Sequence, residues 1–474
     1  MTDHAPPDGQ HGRDTNRRRA RTAMTGAWLA FYVDLFDIYL PIVALAPAMA
    51  YFVPETMSEG GTALTTGAIF AATLLGRPVG AFLFGRLADT VGRRRTTLIA
   101  VGGAGVLTLL MAALPGYQVV GALAPAMFVL LRFVGGIFLG GEYTAANPLA
   151  MESAPKHKRG LYGGLINSGF PLANASVSLI TLFLLWVVPA GAVGSPYVQW
   201  GWRIPFVLGA LLSFGLVWYY RHSVTESEIF RTAKTTKTPI KTLFSRGNLP
   251  SFLQVFLLMS GFWLSLQPAS AALPALLGGS VGGLSSTQTS LVLACSFLLL
   301  APAQVASGVL SQKIGRRRFM IAAGVTITVG AAIAHIALVR LAATGPGAAF
   351  ALTAALIILV IGPWGVLPSY INERFRTGVR ASGYGLAYST AVILPSFYAF
   401  YQAGLAITMP FEYTGVVLVV VGGLLVLVGG ALGPETRDVD MSDPQLNAPT
   451  ETAAFHALTT DPPLQRDLRP RRRC

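Results

Sequence analysis

Along the chain, long apolar runs alternate with short polar segments. One helix needs about 20 apolar residues to cross a bilayer core. Runs of that kind predict twelve helices, at about 24–53, 63–86, 96–114, 120–151, 161–188, 201–219, 250–277, 286–310, 319–341, 347–370, 381–408 and 414–432. The polar stretch 220–249 divides them into six and six. The expected fold class is an all-α membrane protein of twelve transmembrane helices in two six-helix pseudo-repeats. Its expected parts are an N-terminal tail 1–23, a first bundle 24–219, a linker 220–249, a second bundle 250–433 and a tail 434–474. The last part is polar, ends Arg471-Arg472-Arg473-Cys474 and reads as disordered. The apolar run after residue 23 is too long for a signal-peptide core and shows no obvious cleavage site, so it reads as the first membrane helix.

Composition agrees. Only 12% of the residues are charged and 53% are hydrophobic, with mean hydropathy +0.57. Soluble domains carry about 25% charged residues, so lipid is needed to cover part of this surface. The net charge of +14 raises nucleic acid as a partner, but its distribution argues against one. The cations sit in alternate loops: Arg86 and Arg93–Arg95; Lys156, Lys158 and Arg159; Arg231, Lys234, Lys237, Lys241 and Arg246; Lys313 and Arg316–Arg318; Arg374, Arg376 and Arg380. The opposite loops are nearly free of them, Arg340 excepted. By the positive-inside rule both termini and the 220–249 linker face the cytoplasm, in a cell inner membrane. Cys295 and Cys474, the two cysteines, give neither a disulfide framework nor a metal site.

The halves repeat. Gly85–Arg95 and Gly308–Arg318 share the spacing G-x6-G-R-R-R, and Glu152 precedes Arg159 by the same interval as Glu373 precedes Arg380. A parallel duplication predicts alternating access, with a site between the bundles near the bilayer midplane. Gly92 and Gly315 are placed for tight turns.

Gly85–Arg95 resembles the signature loop of the major facilitator superfamily. Arg77-Pro78-Val79-Gly80, Leu131-Arg132-Phe133 leading to Gly140-Gly141-Glu142, Glu152-Ser153-Ala154-Pro155 with Arg159-Gly160, and Gly201–Phe206 (GWRIPF) resemble the metabolite:proton symporters, close to the sugar porters. The resemblance covers most of 28–435. It implies the major facilitator fold and a proton-coupled carrier. The chain departs from the family pattern in the first helix, where Asp34-Leu35-Phe36-Asp37-Ile38 replaces an E-W-Y-D-F-like run, and at Asn147 and Asn174.

Ionisable groups within a span cost about 2.5–3.5 kcal/mol on insertion scales, so they mark function first. Asp34 and Asp37, three residues apart, share a helix face near mid-depth. Arg132 lies at similar depth, so Asp37 and Arg132 can meet. A carboxylate beside an arginine ionises readily, and one that loses that partner in an apolar site takes a proton. Such a pair couples protonation to conformation, or is a fixed salt bridge. The resemblance to sugar porters favours the coupling role, and Asp37 over Asp34. Arg77 and Glu142 lie about 12 Å and about 15 Å in from the cytoplasmic ends of their helices, which suggests a second pair. Alternatively Glu142 accepts a proton, or Arg77 binds a carboxylate. Asp89, Arg93, Glu152, Arg159, Glu373 and Arg380 are expected to form a cytoplasmic gate as well as setting orientation. Tyr39, Asn167, Asn174, Gln267, Gln304, Trp364, Tyr388 and Tyr398 are candidates to line the cavity. The glycines of the fourth and fifth helices (Gly135, Gly136, Gly140, Gly141, Gly163, Gly164, Gly169) are expected to permit close packing. His335 is expected to be packed.

The expected function is proton-coupled uptake of a small polar metabolite, an organic acid or zwitterion. The alternative is a proton-antiporting exporter of a drug or secondary metabolite. No nucleotide-binding loop, zinc spacing or nucleophile–His–acid set supports an enzyme. The expected cofactor is none, the proton gradient supplying energy. The expected partners are the solute, protons and the bilayer, and a monomer suffices.

Overall fold

The computed structural model describes residues 8–54, 56–57, 59–232, 238–278 and 281–441. Every regular element among them is helical, and eleven helices are long and apolar enough to cross a membrane. We label these α1 (Arg17–Ala44), α2 (Ala68–Val91), α3 (Arg93–Ala112), α4 (Leu123–Ser153), α5 (Lys156–Val187), α6 (Tyr197–Ser223), α7 (Leu249–Leu266), α8 (Gln288–Ile314), α9 (Arg316–Thr344), α10 (Pro346–Arg374) and, after one further crossing, α12 (Phe411–Leu432). The further crossing, α11, is made of two pieces, Arg380–Thr390 and Tyr398–Leu405. Turns at 391–394 and a 3₁₀ turn at Pro395–Phe397 separate them. Pro395 has no N–H for the helical ladder, so the apolar run 381–408 does not form one continuous helix. The result is twelve transmembrane helices in two six-helix pseudo-repeats. Outward-facing Leu83, Leu211, Trp218, Leu253, Leu298 and Leu424 are all exposed, a surface suited to lipid.

Boundaries differ from the sequence reading in several places, and the apolar run 250–277 is one helix only to Leu266, a short helix following at Leu273–Gly278. The first helix begins at Asp8, inside the segment 1–23 read as a tail. Its far end leaves α geometry in a π segment at Leu40–Ala44 and a 3₁₀ segment at Ala46–Tyr51, where Pro41 and Pro47 interrupt the ladder. Residues 434–441, assigned on composition to a disordered tail, are instead held against the basic end of the second half. Glu435 accepts from the backbone N–H groups of Arg316 (2.8 Å) and Arg317 (3.2 Å), and Thr436 Oγ1 donates to Glu373 (2.8 Å). The remainder of that segment, 442–474, lies outside the described residues.

The duplication is visible in the structure. Gly92 and Gly315, at φ +121° and +100°, turn the chain into α3 and α9. A Cβ at either would strike a carboxylate, that of Glu226 after α6 or Glu435 after α12. Those carboxylates accept backbone N–H groups from the first turns of α3 and α9. That is the usual place for an anion at a helix N-terminus. Small residues set the crossing that positions the intramembrane charges. Gly76 and Gly80 of α2 face Gly136 and Gly140 of α4 so closely that a Cβ at any of them would overlap backbone across the contact.

Candidate functional site

Between the halves lies a cavity of about 870 Å³. It runs from Arg77, Trp364 and Tyr388 at mid-depth to Pro47, Trp186 and Tyr398 at the end away from the basic loops. Both halves contribute to its wall, which is largely apolar with a few polar groups, the usual make-up of a small-molecule site. All eight candidate lining residues, Tyr39, Asn167, Asn174, Gln267, Gln304, Trp364, Tyr388 and Tyr398, border it. Asn167 Nδ2 donates across the halves to the carbonyl of Trp364. The inner end is aromatic. Tyr388 packs against Tyr143 (4.4 Å between ring centroids), Trp263 (5.3 Å) and Tyr384 (6.1 Å, stacked), and the Trp263 indole donates to the Tyr388 carbonyl. Trp263, Tyr143 and Tyr384 did not emerge from the sequence reading. The only signal there was the spacing of Tyr384 and Tyr388, four apart on one helix face.

Two buried ion pairs stand beside the cavity in the first half. Asp37 accepts from Arg132 Nη1 at 2.7 Å and from Thr108 Oγ1 at 2.5 Å. Arg132 Nη2 also reaches the carbonyls of Asp37 and Ile38. The pair expected between Arg77 and Glu142 is not formed. Arg77 donates instead to both carboxylate oxygens of Asp34, at 2.9 and 3.4 Å. Direction around the helix, not distance along it, decides the pairing. Gly136 and Gly140 mark the face of α4 that meets α2, and Glu142, two residues on, is turned about 200° from Gly140. Glu142 is 1% exposed, and neither of its carboxylate oxygens has a hydrogen-bond partner among the described residues. Asp34 and Asp37 therefore share a side of α1 but serve different neighbours.

At the basic end the halves are joined by charges. Glu152 Oε1 accepts from Arg380 Nη1 across the interface (2.6 Å) and from Arg93 Nη2 within the first half (3.1 Å). Arg93 Nη2 also donates across to the Thr377 carbonyl (2.8 Å). The Asp89 carboxylate accepts the N–H groups of Ala381 (3.1 Å) and Ser382 (2.8 Å) at the start of α11. The mirror-related contact uses an amide: Gln312 Oε1 accepts from Gly160 N (3.0 Å) at the start of α5 and from Arg316 Nη2 (2.7 Å). Glu373 pairs with Arg316 (3.2 Å) inside the second half. Arg159 forms no salt bridge among the described residues and donates to the Val439 carbonyl (2.7 Å).

Twelve helices in two related halves, a polar-floored cavity between them and a charge-linked closure at one end define a membrane carrier. The profile of the Major Facilitator Superfamily matches residues 27–397, and the chain belongs to that superfamily. It is a multi-pass transport protein, not an enzyme. It is 31% identical to the inner membrane metabolite transport protein YhjE of Escherichia coli K12, over 85% of this chain and 92% of that one. It is 29% identical to the alpha-ketoglutarate permease of the same organism, over 80% and 85%. The fold is similar to that of the proton:xylose symporter XylE, with a TM-score of 0.71 at 17% identity, covering 88% of this chain and 95% of that one.

Proposed function

We propose that this protein takes up a small carboxylate or zwitterionic metabolite together with protons, by alternating access. Orientation follows from the basic loops. With those on the cytoplasmic side, both termini are cytoplasmic, the cavity opens outward from a cell inner membrane, and the Asp89–Glu152–Arg380 contacts close the inner end. The observation that carries the reading is the arginine at the inner end of an otherwise uncharged cavity, tied to a buried carboxylate on α1. Coupling is assigned to the acidic residues of α1: Asp37 through its pair with Arg132, and Asp34 through its pair with Arg77. The solute class is further supported by relatives named for an organic acid and, at 31% identity over 61% of this chain, for proline and betaine in Staphylococcus haemolyticus. No second subunit is needed to complete the cavity.

The test is uptake by the purified protein in liposomes with an imposed inward pH gradient, using labelled 2-oxoglutarate, shikimate, proline and glycine betaine. Accumulation that collapses with a protonophore is expected for one of them. Solute leaving the vesicles against the gradient in exchange for protons would contradict uptake.

A further inference from the structure

The two ion pairs of α1 differ in what lies beside them. Asp37 has two side-chain donors, Arg132 and Thr108, and neither Asp37 nor Arg132 borders the cavity. Asp34 is 0% exposed and, among the described residues, accepts hydrogen bonds from Arg77 alone. Arg77 does border the cavity. Its guanidinium is a planar fork of five donors suited to a carboxylate. Two nitrogens are given to Asp34, and Nε makes no hydrogen bond among the described residues. The Tyr143 ring lies 6.0 Å from its Cζ, and Tyr388 stands beside it on the cavity wall. A solute arriving from the cavity reaches one cation, and that cation is occupied by a carboxylate.

Resting on the uptake reading above, we infer that Arg77 exchanges Asp34 for the carboxylate of the solute, and that Asp34 takes one proton as it is released. The exchange balances. The N–H···O contacts to Asp34 are replaced by equivalent contacts to the solute, and an O–H bond forms on Asp34 with a proton drawn from the water of the open cavity. When the solute leaves at the other face, Asp34 loses that proton and returns to Arg77. Among the described residues the released carboxylate has no other free cation to turn to. The charges that act on it are Asp37 on its own helix, Arg77 on α2, and Arg132 on α4, with Arg132 engaged by Asp37. Glu142, also on α4, and Tyr388 on α11 bring no positive charge to the site. A buried carboxylate without a partner is strongly disfavoured as an ion. For a monocarboxylate, solute plus proton leave the net charge of the site unchanged. This assigns Arg77 to recognition of the solute and gives Asp34 the proton linked to solute binding, beside the coupling already assigned to Asp37.

The test is binding without any gradient. The full chain in nanodiscs is followed by thermal stabilisation with acetate, lactate, succinate, 2-oxoglutarate and glycine betaine, with xylose as a neutral comparison. Wild type is expected to bind at least one carboxylate, with affinity falling toward about tenfold per pH unit on the alkaline side, as one-proton linkage requires. Asp34→Asn is expected to bind the same compound equally at acid and alkaline pH, and Asp34→Glu to restore the slope. Arg77→Lys, which keeps the charge without the fork, is expected to weaken binding about tenfold or more. An Asp34→Asn protein that retains the wild-type slope overturns the assignment. So does a wild type that ignores every carboxylate, or an Arg77→Lys that binds normally. Wild type that binds with this slope but accumulates nothing in liposomes overturns the uptake reading and leaves the exchange at Arg77 standing.

Discussion

Glu152→Gln tests the closure of the basic end. One oxygen, Glu152 Oε1, takes hydrogen bonds from Arg93 in its own half and Arg380 in the other, and all three side chains are between 0 and 3% exposed. Gln keeps the shape and removes the charge. Gln still accepts from the Arg380 guanidinium, so the closed end loses the carboxylate's charge and not the whole contact, about 1–2 kcal/mol against about 3–5 for stranding a buried charge. Arg93 retains Asp89 (3.4 Å) and Thr377, and Asp89 retains its two bonds to α11, so the halves stay joined. Arg380 recovers water when the end opens, which places the loss on the closed state. A shift of 1–2 kcal/mol is about 5–30-fold in population. Ser382→Cys in a Cys295→Ser, Cys474→Ser background supplies the probe. Ser382 is 0% exposed, and Cys is the closest replacement for its side chain in size. Maleimide labelling at this position is expected to accelerate by about that factor in Glu152→Gln. Equal labelling rates in the two proteins would mean that the Arg380–Glu152 contact does not hold the halves together.

Other outcomes follow from the same geometry. Arg132→Gln is expected to destabilise the fold by about 3–5 kcal/mol, because it strands a buried carboxylate; thermal unfolding in nanodiscs measures this, and a shift no larger than that of a surface variant would contradict it. Glu142→Gln is expected to cost less than about 1 kcal/mol, since no partner is left behind, whereas a true partner of Arg77 would cost about 3–5. Gly80→Leu is expected to prevent assembly of the folded protein, because its Cβ alone would overlap the Ile137 carbonyl; normal yield and monodispersity by size exclusion would refute the α2–α4 contact. Glu435→Ala is expected to lower stability by about 0.3–1 kcal/mol through loss of the charge at the start of α9, and an unchanged melting temperature would count against the packed 434–441 segment.

Much of this was legible in the sequence. Apolar runs separated by alternating basic loops carry the twelve-helix fold, and the matched Gly-Arg-Arg-Arg turns carry the duplication. Depth brings Arg132 to the level of Asp34 and Asp37, and the resemblance to sugar porters favours Asp37 of the two. Depth failed for Arg77, because several groups share its level and only direction around α4 separates them. The glycine spacing at 136 and 140 carries that direction, because it marks the face of α4 that meets α2. Thr108 gave no signal, since a threonine within a span ordinarily bonds its own helix, as Thr108 also does to Ala104 (2.9 Å). The packed stretch after α12 was hidden by its polar composition, which is the same for a disordered tail and for a segment that caps a neighbouring helix.

The central claim is that solute and proton enter together, and the most direct measurement is solute-driven proton movement in liposomes loaded with a pH dye. Adding the carboxylate that binds in nanodiscs to the outside, with no imposed gradient, should acidify the interior with wild type. The double variant Asp34→Asn/Asp37→Asn should leave the interior unchanged. Uptake of the labelled carboxylate by wild type without any pH signal would contradict the account and leave both ion pairs of α1 as structural.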